Sequence, residues 1–214
     1  MAVFSEATLS KKKQILKQQV VPNKILIPWY QKAKAAIKIY FKNVRDHTPI
    51  YKAIDAIEKE AMPLKDWSKT NQQVSREALK KMMLIRLPRL LNNIEYEVVT
   101  VSARSIVIRG VEIKTAPEII IMARINGDIV YGAVKIHISK SDPFNSQQAE
   151  LVATVIYQFL KTKVAQPGEI VLPELCLCLD VFAGRIVGAD KSHFPSIMDQ
   201  VRSICREIIK LWAA

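Results

Sequence analysis

The chain has 214 residues, half of them hydrophobic, with 32 lysines and arginines against 20 aspartates and glutamates. That length fits one large domain or a core with an appendage. The lack of any apolar run near ~18 residues excludes a transmembrane helix, so no membrane partner is expected. The formal net charge of +12, with a pI near 9.6, points first to nucleic acid or an acidic protein as partner; the plainer alternative is a protein that is merely basic.

Residues 1–24 open polar and basic, with Lys11, Lys12, Lys13 and Lys17 around Ile15 and Leu16. They read as either a short helix or a mobile arm. The charges of MAVFSEATLSKKK follow the apolar residues, the reverse of a secretory signal. Pro28 then suits the first turn of a helix reaching Val44. Its apolar stripe is Ala33, Ala36, Ile37, Tyr40 and Val44, while Lys34, Lys38, Lys42 and Arg45 recur at helical spacing on another face. Like charges on one stripe repel by a few tenths of a kcal/mol per pair, roughly, and a polyanion would relieve that repulsion; salt screening of an ordinary surface face is the alternative. These four are the candidate nucleic-acid-binding residues.

Pro49 starts a second helix through about Ala61, with Ile50, Ile54 and Ile57 inward, and Met62-Pro63 ends it. Trp67 lies in the connection and reads as a packing anchor rather than a base-stacking platform. A third helix is predicted over Asn71–Leu91, burying Val74, Ala78, Met82 and Ile85, with Pro88 to kink or end it. Arg76, Lys80, Lys81, Arg86 and Arg89 add positive charge there.

The texture then turns to β. Glu95–Val101 and Arg104–Lys114 are β-branched and alternating, with a bulge expected at Gly110. Glu118–Ser139 holds two β-rich runs around Asn126-Gly127, the strongest short signal for a hairpin, since a type I′ turn needs φ > 0 at both central residues. A two-residue loop sets Ile125 opposite Asp128, Met122 opposite Tyr131, Ile120 opposite Ala133 and Glu118 opposite Lys135. Alternation then puts Ala133, Lys135 and His137 on one face. Asp142 as N-cap and Pro143 at the first helical position predict a helix to about Lys163, burying Ala149, Val152, Ile156, Phe159 and Leu160. After Gln166-Pro167-Gly168, Leu175–Val187 reads as a strand bent or turned near Ala183-Gly184. A last helix starts about Pro195, with Ile197, Val201, Ile204, Ile208 and Leu211 in register and Arg206 and Lys210 suited to its C-terminal end.

Three cysteines are too few and too odd for a disulfide framework and suit a reducing, cytoplasmic setting. Cys176 and Cys178 share one side of a strand. No Cys or His spacing supplies about four zinc ligands, so all three read as buried thiols. No phosphate-binding glycine loop, HExxH helix or GxSxG elbow occurs. His137 reads as a packed or hydrogen-bonded histidine, Asp180 as a strand-end polar group or a site acid. His47 and His193 lie near helix ends without an obvious partner.

From residue 71 the order is helix, three β segments, helix, strand, helix. A helical crossover makes the last two strands parallel while the Asn-Gly hairpin is antiparallel, giving an α/β (α+β) fold: a mixed sheet flanked by helices. Residues 1–70 would form an N-terminal basic helical region and 71–214 the α/β core. This order resembles the restriction-endonuclease-like, or PD-(D/E)XK, nuclease superfamily. Such nucleases carry an acid at the start of the second core strand, an acid-x-Lys triplet on the third, and a helix after it. Pro117-Glu118 matches the first acid and Ala133-Val134-Lys135 the triplet, with Ala133 in place of the second acid.

The resemblance implies Glu118 and Lys135 as candidate catalytic residues and Glu118 as the candidate metal ligand, with Mg²⁺ or Mn²⁺ as the ion if the site is active. Hard cations need oxygen ligands, and one carboxylate beside a lysine more readily forms an ion pair. Glu150 on the following helix could supply a migrated acid. Alternatively Glu112-Ile113-Lys114 could be the triplet, with Glu97 as first acid. The expected function is a nucleic-acid-binding protein with a catalytically degenerate nuclease-like core. The alternatives are an active metal-dependent nuclease and a non-enzymatic interaction subunit, in a mobile-element or defence complex, that binds a protein partner or itself.

Overall fold

The computed structural model describes residues 1–20, 30–60 and 65–213. The helix start expected at Pro28 and the helix end expected at Met62-Pro63 lie outside the described residues. The elements in chain order are α1 (Ala2–Glu6), α2 (Leu9–Val20), α3 (Gln31–Tyr40), α4 (Thr48–Lys59), α5 (Asp66–Met82), α6 (Arg89–Asn93), β1 (Tyr96–Val99), β2 (Ser105–Ile108), β3 (Val111–Lys114), β4 (Ile119–Ile125), β5 (Asp128–His137), α7 (Ser146–Lys163), β6 (Ile170–Asp180), β7 (Arg185–Gly188) and α8 (Phe194–Trp212). No helix among the described residues is long and apolar enough to cross a membrane.

A five-stranded sheet in the order β1-β4-β5-β6-β7 forms the centre. Only β5 and β6 are parallel, joined through α7; the other neighbours are antiparallel. This is the mixed sheet with helices that the element order predicts. Period-2 alternation divides each central strand between two cores. Ile119, Ile121, Val134, Ile136, Leu177 and Leu179 face α3, α4 and α5. Ile120, Ala133, Cys176 and Cys178 face α7 and α8, with Phe4 of α1 and Leu16 of α2 in the same cluster. The apolar core therefore runs continuously across residue 70: α3, α4 and α5 cover one face of the sheet together.

The Asn-Gly hairpin has the predicted register, with Ile120 opposite Ala133 and Met122 opposite Tyr131. Asn126 and Gly127 take φ of 52° and 95°, as the turn type demands. Arg104–Lys114 is a second hairpin rather than one bulged strand. Arg109 and Gly110 both adopt positive φ, and β2 folds back on β3 as a separate two-stranded sheet.

Other boundaries shift for identifiable reasons. The stripe expected to run to Val44 leaves the helix at Tyr40, so Lys42 and Arg45 lie beyond α3. The helix expected to reach Leu91 ends at Met82. Pro88 disfavours helical geometry at the residue before it, and the chain unwinds ahead of it through i→i+3 bonds from Leu84 to Lys81 and Ile85 to Met82. Trp67 is in the first turn of α5 rather than in a connection, and is 42% exposed, which does not fit a buried anchor. Asp142 does not cap α7. The cap is Asn145, in a reciprocal box with Gln148. Strand β6 starts at Ile170, five residues early, and its pairing with β5 slips between Tyr131 and Ala133. Pro173, which has no N–H to donate, sits in this irregular stretch.

Candidate functional site

Glu118 lies immediately before β4, and its N–H donates to the Val134 carbonyl at 3.0 Å, continuing the hairpin ladder by one residue. Lys135 follows Val134 on β5, so the two side chains meet as the register predicts. Lys135 Nζ is 3.2 Å from Glu118 Oε1 and donates to the Ala116 carbonyl at 2.9 Å. Ala116 is held at φ 32°, in the left-handed region that costs a non-glycine residue roughly 1 kcal/mol. Its N–H and that of Thr115 both donate to the Arg104 carbonyl at 3.1 Å, which pins the turn. The other carboxylate oxygen, Glu118 Oε2, accepts the Ile136 N–H at 2.8 Å.

A third member comes from outside the sheet. Lys34, on α3, places Nζ 2.7 Å from the same Glu118 Oε1. One carboxylate, only 12% exposed, thus holds two ammonium groups that are 40% and 31% exposed. Lys34 was legible as a basic helical residue but not as a partner of Glu118. No local signal links them, because the contact depends on how α3 lies across the sheet.

This donor set does not fit a hard divalent cation. Such an ion needs several oxygen ligands, and Glu118 offers one carboxylate already flanked by two positive charges. Ala133 is completely buried against the α7 side of the sheet. Glu150 is engaged elsewhere: its Oε1 lies 2.8 Å from His193 Nδ1 at the start of α8. That hydrogen bond, with the Glu150 charge and then the Asp190 charge, raises the His193 pKa. The alternative triplet is not brought together either. Glu112 accepts from Ser105 Oγ and belongs with Lys114 to the small hairpin, whereas Glu97 is on β1 of the main sheet.

Asp180 ends β6 fully buried and is a structural acid. Its oxygens accept the Phe144 N–H at 2.5 Å and the Ala183 N–H at 2.9 Å. His137, on the Lys135 face, donates from Nε2 to the Asp142 carbonyl at 2.8 Å and stacks on Phe144 with ring centroids 3.7 Å apart. Together they tie the segment before α7 to the sheet, which explains why Asp142-Pro143 does not open the helix. Between the sheet and α7, Lys135 and His137 line a cavity of about 210 Å³ whose other walls include Val152, Val155 and Ile156.

Of the remaining basic candidates, Lys38 is exposed on α3. Lys42 and Arg45 line an open groove of about 730 Å³ with Tyr96, Glu97 and Arg124. Arg45 donates from Nε and Nη2 to the Asn92 carbonyl at 3.0 and 2.6 Å. His47 lies against the Tyr40 ring beside the start of α4. The cysteines are all free and buried. Burial pushes the Cys178 thiol up to about 12 and raises Cys176 and Cys205 as well. The chain matches no protein-family model, and neither the curated proteins nor the solved structures give a match.

Proposed function

We propose that the protein binds nucleic acid through a nuclease-like α/β core whose hydrolytic metal site is degenerate. The observation that carries this reading is the pairing of Glu118, immediately before β4, with Lys135, near the end of the adjoining antiparallel β5, followed by α7 and a parallel β6. Those are the positions at which the PD-(D/E)XK resemblance expects an acid and a lysine. Buried Ala133 at the second acid position and the engagement of Glu150 by His193 support the loss of metal-dependent hydrolysis. The net charge of +12 supports a polyanionic ligand.

The test is titration of DNA and RNA, single- and double-stranded, at several salt concentrations, with parallel incubation in Mg²⁺ and Mn²⁺. Binding that weakens steeply with salt is expected, because phosphate neutralisation releases counterions, and no cleavage is expected. Salt-independent binding, or none at low salt, removes the reading. Cleavage that disappears in both Glu118→Ala and Lys135→Ala replaces it with an active nuclease.

A further inference from the structure

We infer that Lys34 and Lys135 form a metal-independent clamp for a single phosphate group, with Lys34 standing beside Glu118 where a divalent ion would otherwise be required. The inference rests on the nucleic-acid reading for the source of that phosphate, but the site itself stands on its geometry. Both ammonium nitrogens are tied to the same carboxylate oxygen, at 2.7 and 3.2 Å. They are therefore no more than about 6 Å apart, a spacing that two oxygens of one phosphate span with charge-assisted hydrogen bonds of about 2.8 Å.

Charge and donor capacity agree with that assignment. Two ammoniums and one carboxylate leave the cluster one positive charge in excess, the complement of a phosphodiester or a phosphate monoanion. Each ammonium has three N–H donors. Lys34 pairs with Glu118 alone among the described residues, and Lys135 with Glu118 and the Ala116 carbonyl. Donors on both remain for an incoming anion, and both side chains reach solvent whereas the carboxylate is nearly covered.

The positions are also fixed before any ligand arrives. Glu118 is held by the Ile136 N–H, Lys135 by the pinned Ala116 carbonyl, and Lys34 by a helix whose Ala33, Ala36 and Ile37 are buried against the sheet. A phosphate here would be bound by preorganised ammoniums, with little ordering cost on binding. The phosphate could come from a nucleic-acid backbone or from a free phosphate group.

The experiment is calorimetric titration in EDTA at low salt, with orthophosphate in one arm and a short single-stranded oligonucleotide in the other. The proteins are wild type, Lys34→Gln, Lys135→Gln, Glu118→Gln and, as a charge-matched control remote from the cluster, Lys210→Gln. Wild type and Lys210→Gln are expected to bind orthophosphate without metal. Lys34→Gln and Lys135→Gln should each weaken it about tenfold. Glu118→Gln, which keeps an acceptor for the Ile136 N–H but removes the competing charge, should tighten it, a gain that damage to the fold cannot produce. In the oligonucleotide arm each lysine substitution should lower the salt slope by about one. Orthophosphate binding alone would keep the clamp and overturn the nucleic-acid reading. Oligonucleotide binding unchanged in both lysine variants would overturn the clamp and keep that reading. Phosphate binding that requires Mg²⁺, or falls equally in Lys210→Gln, also overturns the clamp.

Discussion

At the scale of single residues, Gly132 shows how little space the sheet leaves. It sits on β5 where the pairing with β6 slips, and a Cβ there would collide with Leu175 Cβ and meet the Leu175 carbonyl oxygen at 2.8 Å. Backbone on an inner strand cannot move away cheaply. Gly132→Ala is therefore expected to lose about 1–3 kcal/mol, read as a lower denaturant midpoint; an unchanged midpoint would mean that the irregular stretch of β6 is plastic. Buried acids of high pKa make a second residue-scale prediction. Burial raises Cys178 to about 12 from an ordinary 9.0, and Tyr96, whose hydroxyl donates to the Phe41 carbonyl, to about 12 from 10.0. The unfolded chain ionises first as pH rises, while the folded state keeps its protons. Stability should thus be insensitive to these groups below about pH 9 and fall progressively from there toward pH 12. Denaturant melts across that range check the sign, and native-state thiol labelling at neutral pH should be slow for all three cysteines.

At the scale of elements, α7 is the most extensively packed helix among the described residues. It forms the crossover between the parallel strands and is buried by the sheet as well as by α8, α1 and the small hairpin. Its start is specified by Asn145, which accepts the Gln148 N–H at 2.8 Å while Gln148 Oε1 accepts the Asn145 N–H at 3.0 Å. The Asn145 amide also donates to Glu6 of α1. Asn145→Ala is expected to cost about 1 kcal/mol, visible as a reduced melting temperature. Glu6→Gln should cost less, because it leaves the cap intact. Equal losses in the two variants would mean that the contact with α1, not the cap, is what Asn145 contributes.

For the molecule as a whole, the helices before residue 70 are not ornaments on a self-sufficient core. Ile37, Ile50 and Ile57 belong to the cluster that covers Ile119, Ile121, Val134 and Ile136. Removing residues 1–70 would strip α3 and α4 from one face of the central sheet, leaving that face covered only in part by Ala78, Leu79, Met82, Ile85 and Leu91. The remainder, 71–214, is expected to aggregate or to bind a hydrophobic dye strongly, whereas a soluble fragment with a cooperative melt would support 71–214 as a core that folds by itself. The same layering brings Lys34 to Glu118, so the fragment would also lack one arm of the phosphate clamp.

What the sequence determined by itself is what depends on neighbours in the chain. The Asn-Gly turn requires two positive φ angles, and strand alternation then follows, so the pairing of Glu118 with Lys135 and the common face of Cys176 and Cys178 were legible. So were the apolar stripes of α3, α4, α5 and α8, because helical period alone selects them. The start of α7 was misplaced at Asp142-Pro143: Asp180 and His137 tie that segment to the sheet, and the helix opens instead at the Asn145–Gln148 box. The slipped pairing at Gly132 and the partners of Glu150 and Lys34 were decided by the tertiary structure. Each joins elements far apart in sequence, and neither propensity nor spacing records the angle at which a helix crosses a sheet.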